Sequence, residues 1–268
     1  ILSGKQLRPH QVEAARFIRN SRARFIAINA PTGAGKTILA MESTNEPLYY
    51  LCTSKQLQDQ VLRDYPDMKL LKGRSNYQCH RFEHCGNCYL SGKEKCKDCT
   101  YTYARNTALN SPMSTLNIAY FLTSCNYTNF YEESIPRNII IDEADELDTI
   151  LTNFISFEFT KNRLDWLGLS SLSMPNHKTV ISEVAPWLKS LLQLSMNEHI
   201  NISGTVKDIM EEIHRGGSLD KHDKDILNRY RVLSQLIKKL EFLTTQEFTK
   251  DSWVYYYDDK LNKVTLKP

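Results

Sequence analysis

The segment running from Ala30 to Thr37, APTGAGKT, constrains this chain more than any other. It fits the pattern of a phosphate-binding loop, with Ala30 where the first glycine usually stands. Small residues let successive backbone N–H groups curl around phosphates, Lys36 reaches the β and γ oxygens, and the Thr37 hydroxyl ligates magnesium. Thr32, Gly33, Ala34, Gly35, Lys36 and Thr37 are therefore the expected binders of ATP and Mg2+. Such a loop operates between a strand and a helix. The flanks agree: RFIAIN over residues 24–29 predicts a short buried strand, and ILAMES after the loop predicts a helix.

The same alternation recurs downstream. LYYLC over 48–52 predicts a second strand, TSKQLQDQVLRDY a helix closed by Pro66, and NIII over 138–141 a third strand. Strands alternating with helices predict an α/β fold with a parallel sheet. The third strand opens into IIIDEAD, with five acids between Asp142 and Asp148. A buried apolar strand ending in adjacent carboxylates puts Asp142 where it can hold magnesium and Glu143 where it can orient or deprotonate an attacking water. Read alone, the acidic run is a solvated helix start; paired with the phosphate loop, it predicts a nucleoside triphosphatase with Lys36, Asp142 and Glu143 as catalytic residues.

The chain's 268 residues, 41% hydrophobic and 24% charged, suit about two soluble domains and exclude a disordered or fibrous chain. No apolar run approaches the roughly 18 residues of a membrane span, and the N-terminus has no signal-peptide order. The expectation is a cytoplasmic protein, with nucleoid association or, for a viral chain, the host cytoplasm as alternatives, monomeric and without a membrane partner. The start at Ile1 and the stop at Pro268 suggest a fragment.

Charge and cysteine are concentrated together. Residues 69–105 carry eight Lys or Arg against three acids, and five of the seven cysteines, Cys79, Cys85, Cys88, Cys96 and Cys99, lie there too. In a reducing compartment such a cluster predicts a metal rather than disulfides. The spacing Cys85-x2-Cys88-x7-Cys96-x2-Cys99 suits tetrahedral zinc and leaves Cys79 unused; an iron-sulfur cluster also takes four thiolates with looser spacing. Lys93, Lys95 and Lys97, with Tyr77, Phe82, Tyr89, Tyr101 and Tyr103 interleaved, suit phosphate tracking and base stacking on single strands, or else a solvated face around a structural metal. Beyond residue 150, apolar residues recur at helical spacing, predicting a helical subdomain over 155–245. Trp253 to Tyr257 and Lys263 to Thr265 predict a hairpin or two strands returning to the sheet.

These motifs, in their order, resemble the XPD/DinG family of superfamily 2 DNA helicases, whose RecA-like first motor lobe is interrupted by an iron-sulfur domain and a helical Arch domain. Arg8-Pro9-His10-Gln11 resembles the N-terminal RPxQ element, which implies Gln11 near the adenine. Thr53-Ser54-Lys55-Gln56-Leu57-Gln58-Asp59-Gln60 is similar to motif Ia, which implies that Thr53 and Gln60 touch the DNA backbone. The segments of Cys79 and Cys99 resemble those of the outer ligands of a 4Fe-4S cluster, with two of Cys85, Cys88 and Cys96 between them; zinc is the alternative metal. Asp145 stands where the family's DEAH has histidine, a departure that bears on coupling between lobes. Thr100 replaces the proline after the last cysteine. VTLKP at the end resembles the stretch just before motif III, so motif III and the second lobe with its arginines are missing from this sequence, and the fragment alone is expected to be inactive. The resemblance implies lobe 1 over 1–71, 106–150 and 250–268, the cluster domain over 72–105 and an Arch-like domain over 151–249. It also implies ATP-driven 5′ to 3′ translocation on single-stranded DNA and DNA forks. The alternatives are a zinc-bearing ATPase acting on RNA or nucleoprotein, and a non-catalytic single-strand binding module.

Overall fold

The structure, a computed structural model, describes residues 6–31, 33–44, 47–80, 82, 84–88, 98–128, 130 and 137–268. The chain divides into two compact units, one formed by residues 1–88 with 96–147, the other by 89–95 with 148–268.

The first unit is built on a parallel sheet of β1 (Leu48–Cys52), β2 (Lys69–Leu71), β3 (Met113–Asn117) and β4 (Asn138–Ile141), in the order β2-β3-β1-β4. β1 is buried along its whole length, which explains its uninterrupted apolar run, since a central parallel strand is covered on both faces. Its even-numbered residues Leu48, Tyr50 and Cys52 pack with Met41, Val61, Tyr65 and Met68. These come from the neighbourhoods of α2 (Lys36–Glu42) and α3 (Lys55–Asp64). On the other face, Tyr49 meets Phe121 of α5 (Ile118–Tyr127) and Phe130, with ring centroids 6.1 and 5.6 Å away. Between β2 and β3 the described residues include the single 3₁₀ turns Arg74–Asn76 and Cys85–Asn87, and then α4 (Thr100–Asn110). α1 (Pro9–Asn20) precedes the sheet.

Two strand expectations need correction. Residues 24–29 form no strand: Phe25 is 82% exposed and Ile28 44%. β4, expected as a buried strand, is an edge strand whose Asn138 and Ile139 are exposed. The two outcomes have one physical cause. An apolar run becomes a strand only through ladder bonds to a neighbour, and among the described residues RFIAIN makes none and β4 pairs with β1 alone.

The second unit contains α6 (Leu147–Ile155), β5 (Phe157–Thr160), α7 (Lys161–Trp166), α8 (Ile181–His214), α9 (Lys221–Thr244), β6 (Val254–Asp258) and β7 (Lys263–Lys267). The expected helices are present as an antiparallel-type pair punctuated by Gly216 at φ 88 and by Asp220, whose carboxylate accepts the Asp223 N–H at 2.8 Å. β6 and β7 form the expected hairpin, but it pairs with β5 in a separate antiparallel sheet ordered β5-β7-β6 and does not return to the parallel one. β5 lies inside the stretch expected to be helical. Its Phe157 and Phe159 point inward and join Val184, Leu188, Leu191, Leu233, Leu240, Val264 and Leu266 in one core. Among the described residues, no helix is long and apolar enough to cross a membrane.

Candidate nucleotide site

Parallel strands deliver their carboxyl ends to one side of a sheet, where α/β folds gather ligands. Here β1 ends at Cys52, β3 at Asn117 directly opposite, and β4 at Ile141. The Asp142 N–H extends the ladder to the Leu51 carbonyl at 3.0 Å. Asp142 therefore leaves the sheet on the same face as Ile140, Tyr50 and Cys52, the face that α2 covers.

The phosphate loop enters that face. Gly33 and Gly35 hold φ 80 and φ 78, the left-handed region that glycine alone adopts freely. A Cβ on Gly33 would point into open space, whereas one on Gly35 would run into the Gln11 carboxamide. The Ala34 N–H closes a turn onto the Pro31 carbonyl at 3.2 Å, and α2 starts at Lys36, whose side chain is exposed. Thr32 lies outside the described residues.

Gln11 is 4% exposed and braces this loop. Its Nε2 donates to the Ala34 carbonyl at 2.7 Å, and its Oε1 accepts the Arg8 N–H at 2.8 Å. α1 holds α2 at a second point, where the Arg19 guanidinium donates to the Glu42 carbonyl. Both polar ends of the Gln11 amide are thus engaged with protein in this arrangement.

The site's centre is a residue that sequence reading passes over. Tyr50, 1% exposed in the middle of β1, has a hydroxyl hydrogen-bonded to both Thr37 and Asp142. Burial pushes this phenol far above its usual range; the Thr37 hydroxyl, donating to the phenol oxygen, opposes the shift, and the Asp142 carboxylate, accepting the phenol proton, adds to it. Burial likewise raises the Cys52 thiol to about 11, with the Thr115 hydroxyl opposing and the Asp142 charge adding. The signal in the sequence was a tyrosine at an inward position of a buried strand, which needs a partner for its hydroxyl.

Thr37 and Asp142 thus converge as two hard oxygen donors, the donor set that Mg2+ prefers. Glu143 follows at φ 52 and ψ 52, a left-handed conformation rare for a residue with a side chain. Its carboxylate is exposed, and its N–H donates to the Asp142 carboxylate at 3.2 Å. Thr53 sits just past β1, its carbonyl accepting from the Asn117 side chain at 3.1 Å, while Gln60 is exposed on α3. Asn117 also caps α5, accepting from the Ala119 and Tyr120 N–H groups; it is a second positioning residue that the sequence did not single out.

The cysteine segment is only partly assembled. Cys85 and Cys99 share a hydrogen bond between their thiols, and Cys85 Sγ donates to the Gln78 carbonyl at 3.2 Å. Burial raises the Cys85 thiol. At Cys99 burial acts in the same direction but is outweighed by the Thr102 hydroxyl and N–H, which hold that thiol below its usual value. Among the described residues, no group of three or more His, Cys, Asp or Glu side chains stands ready to hold a metal ion. As arranged, the described cysteines do not fit a four-thiolate cluster; Cys96 lies outside the described residues, as do Lys93, Lys95 and Lys97. Of the aromatics expected to stack on bases, Tyr77 and Tyr101 pack on each other at 5.6 Å, and the Tyr101 hydroxyl meets that of Tyr120 at 2.7 Å. Tyr103 is 76% exposed.

Residues 4–160 match the family described as Type III restriction enzyme, res subunit. No curated protein matches the chain.

Proposed function

Because the chain belongs to the Type III restriction enzyme, res subunit, family and so carries a superfamily 2 helicase-like domain, we propose that it is the nucleotide-binding motor domain of an ATP-dependent DNA helicase. One observation carries this reading furthest: the meeting of Thr37 and Asp142 at the carboxyl end of a parallel sheet, next to a glycine loop held in its left-handed turns. Lys36, exposed at the start of α2, contacts the β and γ phosphates. Thr37 and Asp142 hold the magnesium ion, which neutralises charge on the phosphates when bound. Glu143 accepts the proton of the attacking water at its carboxylate. Gln11 keeps the loop in place through Ala34.

The substrate side of the proposal rests on the helicase-like family and on sequence. Single-stranded DNA is bound by Thr53, Gln60 and the basic segment, and translocation runs 5′ to 3′ by resemblance to the XPD/DinG pattern. The helical second unit corresponds, in the same reading, to an Arch-like domain. The metal part rests on spacing and resemblance alone: Cys79, Cys85, Cys88, Cys96 and Cys99 supply more thiolates than one cluster needs. Iron and zinc content of anaerobically purified protein tests it. Stoichiometric iron that survives loss of one inner cysteine supports the cluster; stoichiometric zinc, or neither metal, removes it.

The central test is steady-state ATP hydrolysis by the full-length protein, with and without single-stranded DNA. Lys36→Ala should abolish hydrolysis. Glu143→Gln should leave ATP binding nearly intact while hydrolysis collapses, because Glu143 acts on the water and Lys36 on the phosphates. Hydrolysis by Glu143→Gln at the parent rate would remove Glu143 from the mechanism. Absence of stimulation by single-stranded DNA would remove the helicase reading.

A further inference from the structure

We propose that Tyr50 is the positioning residue of the magnesium site, orienting Thr37 and Asp142 together through one hydroxyl; this rests on the nucleotide reading above. The placement follows from strand register. Tyr50 pairs with Ile140, so the residue two further along β4's path, Asp142, shares its face, and the same face packs against Met41 of α2, the helix that begins with Lys36 and Thr37. A phenol rooted in the most buried strand therefore reaches the two ligands from beneath, where no solvent competes.

The polarity of the two hydrogen bonds suits metal binding. Thr37 donates its hydroxyl proton to the Tyr50 oxygen, which turns the lone pairs of Thr37 Oγ1 away from the protein and toward the site. Tyr50 in turn donates to the Asp142 carboxylate, which together with the Glu143 N–H helps fix the carboxylate plane. A hydroxyl that ligates a cation needs an acceptor for its own proton, and Tyr50 supplies one. A chain of donors running Thr37 to Tyr50 to Asp142 thus presents both ligands in the protonation and rotamer that a cation requires. Groups that orient metal ligands in this way typically govern metal affinity by about 10- to 100-fold. A competing account is that Tyr50 satisfies two ligands only while the metal is away and opposes its entry. That account requires Tyr50 to be displaced, and a ring 1% exposed in a central strand has nowhere to go.

The experiment is nucleotide binding by the chain, read with a fluorescent ADP across a magnesium series and again in excess chelator. Tyr50→Phe removes one oxygen and keeps the ring that fills the core. It should raise the magnesium concentration at half-maximal binding by about tenfold, with a smaller change in the chelator series. Tyr49→Phe, which removes a hydroxyl from the opposite face of the same strand, should leave the magnesium midpoint where it was. An unchanged or lower midpoint in Tyr50→Phe overturns the inference. If Tyr50→Phe does not fold, the unaltered chain labelled at tyrosine Cζ decides: Mn2+ with ADP should broaden one tyrosine signal well before the rest, and uniform broadening overturns the inference. A parent chain that binds no nucleotide at any magnesium concentration would instead bring down the nucleotide reading itself.

Discussion

Gly33 and Gly35 share a left-handed φ but differ in what surrounds them, and the difference is measurable. Any L residue at either position carries roughly 1–2 kcal/mol of backbone cost. At Gly33 that is the whole cost, because the space beyond is open; at Gly35 a Cβ also displaces the Gln11 carboxamide from the Ala34 carbonyl. Gly33→Ala should therefore weaken nucleotide binding by a few-fold, and Gly35→Ala by well over tenfold. Adding Gln11→Ala to Gly35→Ala should recover part of the loss. Equal effects at the two glycines, measured by nucleotide titration, would remove Gln11 from the loop's support. At this scale the sequence was most legible where chemistry demands a residue type: Thr37 and Asp142, singled out by their motifs, meet at the Tyr50 hydroxyl. Tyr50 was not legible, because its role depends on which face of β1 it occupies and on which helix covers that face, and both are set by pairing across nearly a hundred residues.

Among the elements, periodicity identified α8 and α9 because their apolar positions recur over many turns, and it missed β5 because four residues, FEFT, give a period-2 signal too short to stand out beside long helical runs. The RFIAIN segment failed for the opposite reason. Its composition reads as a buried strand, but composition names no pairing partner. The helix pair carries its own prediction. His199 on α8 stacks on Tyr230 of α9 at 4.0 Å between ring centroids and meets the Ser234 hydroxyl at 2.7 Å, and burial lowers its pKa. The unfolded chain then takes up a proton at this imidazole before the folded one does. The stabilising contribution is complete above the unfolded value of about 6.5 and is lost as pH falls below it through the lower folded value. The fall in melting temperature between about pH 7.5 and about pH 5.5 should be smaller in His199→Gln, which keeps a hydrogen-bonding group for Ser234. An identical fall in parent and variant would show that His199 titrates freely.

At the scale of the whole molecule, the chain divides into two compact units: the first carries the phosphate loop and the parallel sheet, and the second packs a helix pair on its own three-stranded sheet. The basic segment between β2 and β3 is where a nucleic-acid partner is expected, and its test is ionic. Single-strand affinity should fall steeply with salt, each neutralised phosphate adding about −0.7 to the log-log slope. Charge reversal of Lys93, Lys95 and Lys97 together should flatten it; an unchanged slope in fluorescence anisotropy would leave these lysines as a solvated face. The claim beneath all of this is that the first unit binds magnesium nucleotide through its phosphate loop. The most direct measurement is equilibrium titration of the chain and of Lys36→Ala with a fluorescent ATP analogue, each with magnesium and with chelator. The account predicts saturable, magnesium-dependent binding by the parent and at least a tenfold loss in Lys36→Ala. Equal binding by both proteins, or none by the parent, would contradict it.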